Sequence, residues 1–288
     1  MKRAVLVDST ANIGQNLYDH PDVFQVNLNV NFNDGSHYSD TWDDQALSSF
    51  YEKMAAAKEL PTTSQPSPQN FAECFEAIIA AGYDSVIVVL IASKISGTFQ
   101  TGQMMAGEYE DQLEIHVVDS GTSSYGLKNM VEHILKWYDQ GQSNEKILSQ
   151  LKQLIADTVI YGAVHDLTNF IKGGRISHIG GRLAGAMKVG SVFSVDQGQI
   201  DSLKMARSKR RIRQTLDKLF AEKLAEKSQA YRIAVVHTNI PETAQAKAEE
   251  LRQVFTKAKD IIVDNLTIVI GTQVGEDVLA YVYLPLMD

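Results

Sequence analysis

Apolar residues fill every position from Val86 to Ile91. A run this short predicts a strand, far from the ~20 residues of a membrane-spanning helix. Its lack of alternation predicts burial on both faces, as in a parallel sheet covered by helices. The run stops at Ala92, where Ser93, Lys94, Ser96, Gly97 and Thr98 precede a segment of helical character. Ala4–Val7 and Glu114–Val118 repeat the arrangement, ending in Asp8-Ser9-Thr10 and in Asp119-Ser120-Gly121-Thr122-Ser123-Ser124. With helices between them, the three strands are parallel, and their carboxyl ends lie along the edge where open α/β sheets bind ligands. A hydroxyl at a helix start caps the helix, and free N–H groups there also favour an anion. One such turn is ordinary; three predict a lined polar pocket.

Elsewhere the pattern changes period. Phe24 to Phe32 alternates apolar and polar residues, which predicts one half-exposed strand. Asn33-Asp34-Gly35 supplies a turn, with a short return strand from Tyr38. Asp43–Lys58 has helical spacing with acids at its start. Pro61-Thr62-Thr63-Ser64-Gln65-Pro66-Ser67-Pro68 is too proline-rich for a helix or a central strand and reads as a stiff, hydroxyl-laden loop. Pro68 suits the first turn of a helix over Gln69–Ala81. Helices follow at Leu127–Tyr138 and Asn144–Ala156. From Val159 short strands (Val159–Val164, Ser191–Val195, Arg232–Val236, Ile261–Val263, Leu279–Tyr283) alternate with helices at Arg207–Ala225 and Pro241–Phe255. Asp196-Gln197-Gly198-Gln199 has hairpin chemistry, so the second sheet is at least partly antiparallel. The expected architecture is α/β with two domains, 1–158 carrying a parallel sheet flanked by helices and 159–288 a mixed or antiparallel sheet with helices.

Composition narrows the classes. The 288 residues carry a net charge of −8, which argues against nucleic acid as a partner, because phosphate contacts need clustered positive charge. No run approaches a membrane span, so no stable membrane insertion is expected, and MKRAVLVDST is not a signal peptide. The single cysteine, Cys74, has Phe71, Phe75 and Ile78 around it at helical spacing and reads as a small core residue. A cytoplasmic location is the default.

Catalytic signatures are missing. The histidines form no metal spacing, CxxC needs a second cysteine, and neither a Walker A motif nor a dinucleotide fingerprint is present, so no cofactor is expected. Ser96, Asp8 or Asp119, and His237 supply a hydrolase triad only on paper, without a G-x-S-x-G elbow. Two basic or glycine-rich stretches stay open. Ile179 to Gly190, IGGRLAGAMKVG, fits close helix packing or room for a long apolar ligand. Arg207-Ser208-Lys209-Arg210-Arg211-Ile212-Arg213 fits a solvated helix face or a docking patch for an acidic or phosphorylated partner.

The motifs Val7-Asp8-Ser9-Thr10, Thr63-Ser64-Gln65-Pro66-Ser67, Ser96-Gly97-Thr98-Phe99-Gln100, Val118-Asp119-Ser120 and Lys172-Gly173-Gly174-Arg175-Ile176 occur in an order that resembles the DegV family of bacterial fatty-acid-binding proteins. Each is short, but the five together span nearly the whole chain. The resemblance implies one long-chain fatty acid buried between two α/β domains and presented to a separate fatty acid kinase, the chain itself not being an enzyme. It implies carboxylate contacts at Thr63 and Ser96, with Thr62, Ser64, Ser93, Gly97 and Thr98 around them. It places Arg175 and Arg207 at positions associated with the kinase. Gln273, in Gly271-Thr272-Gln273-Val274-Gly275, stands where the family commonly has a histidine, and it is the expected replacement at the head group. The Leu-Asn-Ile-Lys-Pro segment usual in the family is Met187-Lys188-Val189-Gly190 here. The alternative from another class is an enzyme or enzyme subunit acting on a small polar or phosphorylated substrate over the same strand ends.

Overall fold

A computed structural model describes residues 2–175 and 189–287. Ile176, Ser177 and most of the glycine-rich stretch, with Met187 and Lys188, lie outside the described residues. In chain order the strands are β1 (Arg3–Asp8), β2 (Val23–Val26), β3 (Asn29–Asn31), β4 (His37–Ser39), β5 (Thr62–Ser64), β6 (Ser85–Leu90), β7 (Glu114–Asp119), β8 (Val159–Val164), β9 (Gly190–Asp196), β10 (Gln199–Ala206), β11 (Tyr231–His237), β12 (Ile261–Asn265) and β13 (Leu279–Pro285). The helices are α1 (Gly14–Tyr18), α2 (Asp44–Ala56), α3 (Pro68–Ala80), α4 (Thr98–Gly107), α5 (Tyr125–Asp139), α6 (Asn144–Asp157), α7 (Thr168–Gly173), α8 (Lys209–Ala225), α9 (Pro241–Val254) and α10 (Ile268–Val274).

The fold is α/β with two domains. β2-β1-β6-β7 form a fully parallel sheet. Alternate residues of its central strands bury on opposite faces, which is why the sequence shows an unbroken apolar run. Val5, Val7, Ile87 and Val89 pack against Leu127, Met130, Trp137 and Leu151 of α5 and α6. Leu6, Val86, Val88 and Leu90 pack against Phe71, Phe75 and Ile78 of α3. The second sheet, β10-β9-β8-β13-β11-β12, is antiparallel except for β11–β12. Its outer face is covered by Leu216 and Phe220 of α8 and Ala244, Ala248 and Leu251 of α9. Its inner face, with Ile160, Val236, Ala280 and Val282, turns toward the first domain and meets Phe170, Phe193 and Leu266.

Three elements differ from the sequence reading. The alternating stretch Phe24–Phe32 is two strands in two sheets: the chain leaves the parallel sheet at Asn27-Leu28, where Leu28 N–H donates to Ser9 Oγ (3.1 Å). β3 then pairs with β4 and β5 in a small antiparallel sheet. Thr62–Ser64, read as loop, is therefore an edge strand, a place in a sheet that tolerates prolines nearby. The third is α10, read as a turn: Gly271 and Thr272 lie inside this short helix, which Gly275 ends at φ 84°. Its Ile268 and Val269 pack with Val30, Leu47, Phe50 and Tyr51, so the small sheet and α2 clasp the second domain. The expected helix starts hold: Asp43 caps α2, and Ser67 caps α3 with Pro68 in its first turn.

Candidate functional site

Between the two large sheets runs an apolar slot enclosing about 810 Å³ of space free of protein atoms, counted to its open mouth. Ile91 and Ile95 from the turn after β6 form one wall. Opposite are Ile160, Ala280 and Val282 of the second sheet, with Ile270 and Val274 of α10 at the side. Phe193, Val195 and Ile200 close it from the β9–β10 hairpin. That hairpin turns at Gln197 and Gly198, both with positive φ, as the sequence reading required. It is tied to the first domain by Gly198 N–H donating to Gly121 O (2.6 Å).

Polar groups gather at one end. Thr63, Arg175 and Gln273 line both the slot and a polar hollow outside it that also holds Lys58 and Lys172, so these three stand at the mouth. Ser96 lines the slot as well. Gln273 Nε2 donates to Thr63 Oγ1 (2.8 Å). Thr63 accepts that bond, which leaves its own hydroxyl proton for another acceptor. Ser96 Oγ lies 2.8 Å from Thr98 Oγ1 and accepts from Thr98 N–H (3.3 Å). Either hydroxyl of the Ser96–Thr98 pair can donate to the other, so the pair keeps one proton for a further acceptor. The mouth thus carries the Thr63 hydroxyl and a guanidinium, with the Ser96–Thr98 hydroxyl pair reaching the slot wall, a set that matches an anionic oxygen group.

The local sequence explains how each arrives there. In β5 successive side chains alternate faces: Thr63 is half-buried toward the slot, while Thr62 and Ser64 are exposed. Thr62 borders the outer hollow, and Ser64 Oγ accepts from Asn31 Nδ2 (3.3 Å). The glycine pair before Arg175 has two tasks. Gly174, at φ 70°, ends α7 in the left-handed region. Gly173 has no Cβ, and one placed there would lie 2.1 Å from Gln273 Oε1. The Arg175 guanidinium then folds back onto Gly173 O, with its Nε donating to Ile95 O (3.4 Å).

Ser93, Gly97 and Thr98 do not line the slot. Ser93 N–H donates to Asp119 Oδ1 (3.1 Å). Gly97 caps α4 under the side chain of Gln65, whose Oε1 would lie 2.0 Å from a Cβ there. Thr98 is fully buried beneath Ser96. Arg207 is exposed just ahead of α8, away from the slot. The turn after β1 is likewise no part of the wall: Asp8 is buried and accepts from Thr10 N–H (3.0 Å) and Ile91 N–H (2.5 Å), which ties β1 to the end of β6. The paper triad is not assembled, since His237 lies in a separate surface hollow with Asp44 and Glu242. The sequence reading did not single out Arg175 as a mouth residue, nor α10 as a wall. The spacing Val269, Ile270, Gln273, Val274 is the helical signal that points to the latter. Among the described residues no cluster of three or more His, Cys, Asp or Glu side chains is placed to hold a metal ion, and no helix is long and apolar enough to cross a membrane.

Fold and slot together define a class: two-domain α/β proteins with an apolar cavity between their sheets and a hydrogen-bonding mouth. The DegV family model (uncharacterised protein, DegV family) matches residues 2–286, and the chain belongs to that family. A DegV domain-containing protein of Streptococcus pneumoniae is 34% identical over 297 aligned residues, covering 100% of both chains. Among solved structures, a fatty-acid-binding DegV family protein from Thermus thermophilus superposes with a TM-score of 0.89 at 26% identity, covering 99% of this chain and 100% of its own. A fatty-acid-binding DegV family protein from Streptococcus agalactiae gives 0.89 at 26%, covering 100% of both. The Fak B3 protein of the Streptococcus pneumoniae fatty acid kinase, loaded with linoleic acid, shares the fold with a TM-score of 0.81 at 22% identity, covering 99% of this chain and 100% of its own.

Proposed function

We propose that this protein binds one long-chain fatty acid in the slot between domains 1–158 and 159–288. Its carboxylate sits at Thr63 and Ser96, beside Gln273 and Arg175. The protein then presents the head group to a separate fatty acid kinase and is itself a carrier, not an enzyme. The observation that carries the reading is the polarity of the cavity: an apolar interior open to a mouth lined by Thr63, Gln273 and the Arg175 guanidinium. Fatty acid binding in the Thermus and Streptococcus agalactiae relatives agrees with it. An acyl tail of about 15 methylenes contributes on the order of 12 kcal/mol of gross transfer energy, before the entropy of fixing it is subtracted. The tail therefore supplies affinity, and the mouth supplies orientation. Gln273 holds Thr63 in place without carrying charge, so head-group capture does not depend on protonating this position as it would with histidine.

Organic extraction of the purified protein followed by mass spectrometry tests the reading. A co-purifying long-chain fatty acid is the expected result. A protein free of acyl chains that instead turns over a small phosphorylated compound overturns it in favour of an enzyme.

A further inference from the structure

One polar atom on the slot wall has no part in the head-group site. Ser124 lines the slot at the start of α5, only 2% exposed, and its Oγ is buried without a hydrogen-bond partner. Native interiors rarely leave such a group unmatched. The side chain does not cap its helix. Its backbone lies at φ 52°, ψ −132°, a conformation that glycine takes readily and serine rarely. A strained residue with an unmatched hydroxyl on a cavity wall is the mark of a functional position.

The neighbouring amides narrow what the position can take. Gly126 N–H donates to Ser123 O (3.1 Å), while Leu127 and Lys128 N–H both donate to Ser124 O (2.9 and 3.3 Å). With these three amides engaged, what the Ser124 side chain adds to the slot wall is an uncharged hydroxyl. The matching group is neutral and both donates and accepts. We propose that Ser124 forms a second polar subsite in the slot that takes a hydroxyl borne on the acyl chain, so that the ligands include hydroxylated long-chain fatty acids. The inference rests on the slot being the fatty acid site. It adds a specificity determinant on the turn after β7, apart from β5, α10 and the turn before α4, which carry Thr63, Gln273 and Ser96.

The test is a calorimetric titration of stearate and of a set of hydroxystearates, with the hydroxyl placed at successive positions along the chain, into the native protein, Ser124→Ala and Ser124→Gly. In the native protein at least one hydroxystearate binds as tightly as stearate or tighter. In Ser124→Ala its affinity relative to stearate drops about tenfold, because a buried hydroxyl is left without a partner. Ser124→Gly removes the hydroxyl while relieving the backbone, so it keeps the comparison open if the alanine variant folds poorly, and it shows the same drop. A hydroxystearate-to-stearate ratio that is the same in all three proteins overturns the subsite. An equal loss on both kinds of acid does so too, by placing the carboxylate itself at Ser124. Failure of stearate to bind at all overturns the fatty acid reading and this one with it; stearate binding with an unmoved ratio overturns this one alone.

Discussion

Asp40 shows how much a single buried side chain holds in place. Its Oδ1 accepts from Val269 N–H (2.9 Å) at the start of α10, and its Oδ2 accepts from Ser9 Oγ (2.9 Å). Burial pushes its carboxyl up to about 7, with the nearby Asp8 charge adding to the rise. Asp8, fully buried as well, is pushed up to about 6 by burial against the lowering effect of its own hydrogen bonds. Both folded values lie above the unfolded ones, so between about pH 4 and pH 7 the folded protein keeps protons that the unfolded chain has released. Stability therefore falls as pH rises through that window. For Asp40 the loss is on the order of 3 kcal/mol. Asp40→Asn keeps an acceptor for Val269 and a polar contact to Ser9, but it has no proton to lose. Thermal unfolding across this range is expected to show a flatter decline in Tm for Asp40→Asn than for the native protein, and parallel curves would contradict the assignment. The acids also mark a limit of sequence reading. Asp8-Ser9-Thr10 has the same composition as a pocket-lining turn, and only the partners of Asp8 and Ser9 reveal a brace between elements.

Elements were legible wherever their own period decided their fate. β1, β6 and β7 announce a parallel sheet by continuous apolar runs, and α2 and α3 carry their caps in the sequence. α10 has helical spacing but no side-chain cap, and the low helix propensity of Ile268-Val269-Ile270-Gly271 is offset by packing against α2 and β3. The hairpin turn at Asp196–Gln199 implies β10, but the strand's own pattern does not mark its extent, because its side chains are mostly polar or exposed and pairing with β9 defines it. α8 poses a different question. Ser208 caps it, yet Lys209, Arg210, Arg211 and Arg213 crowd the end where the helix dipole is already positive, an arrangement that weakens a helix. Asp277 compensates two of them, pairing with Lys209 and with Arg213 (2.9 Å). Arg207, Arg210 and Arg211 stay exposed. Under the proposed function, these exposed arginines are the surface expected to meet the kinase. Arg210→Glu with Arg211→Glu is expected to lower acyl phosphate formation by a fatty acid kinase about tenfold, and the native rate is expected to fall more steeply with added salt than the variant's. Fatty acid binding measured on the same protein should not change, and association indifferent to both salt and the double substitution would contradict the patch.

At the scale of the molecule, the site is a long-range construction. Thr63, Ser96, Arg175 and Gln273 come from β5, the turn before α4, the residue after α7 and α10. No spacing rule joins them; the resemblance of ordered short motifs points to Thr63, Ser96 and Gln273 but not to Arg175 at the mouth. What the residues alone supplied was the strand ends and their hydroxyls. What they withheld was the direction each side chain takes: the face of β5 that Thr63 shares with neither neighbour, and the return of Arg175 to the mouth. The central claim is that free hydroxyl protons at the end of an apolar slot hold a carboxylate. Calorimetric titration of a long-chain fatty acid into the native protein, Thr63→Val and Ser96→Ala tests it most directly. Each variant is expected to bind about 1–3 kcal/mol more weakly while unfolding at the native temperature; unchanged affinity in both would contradict the account.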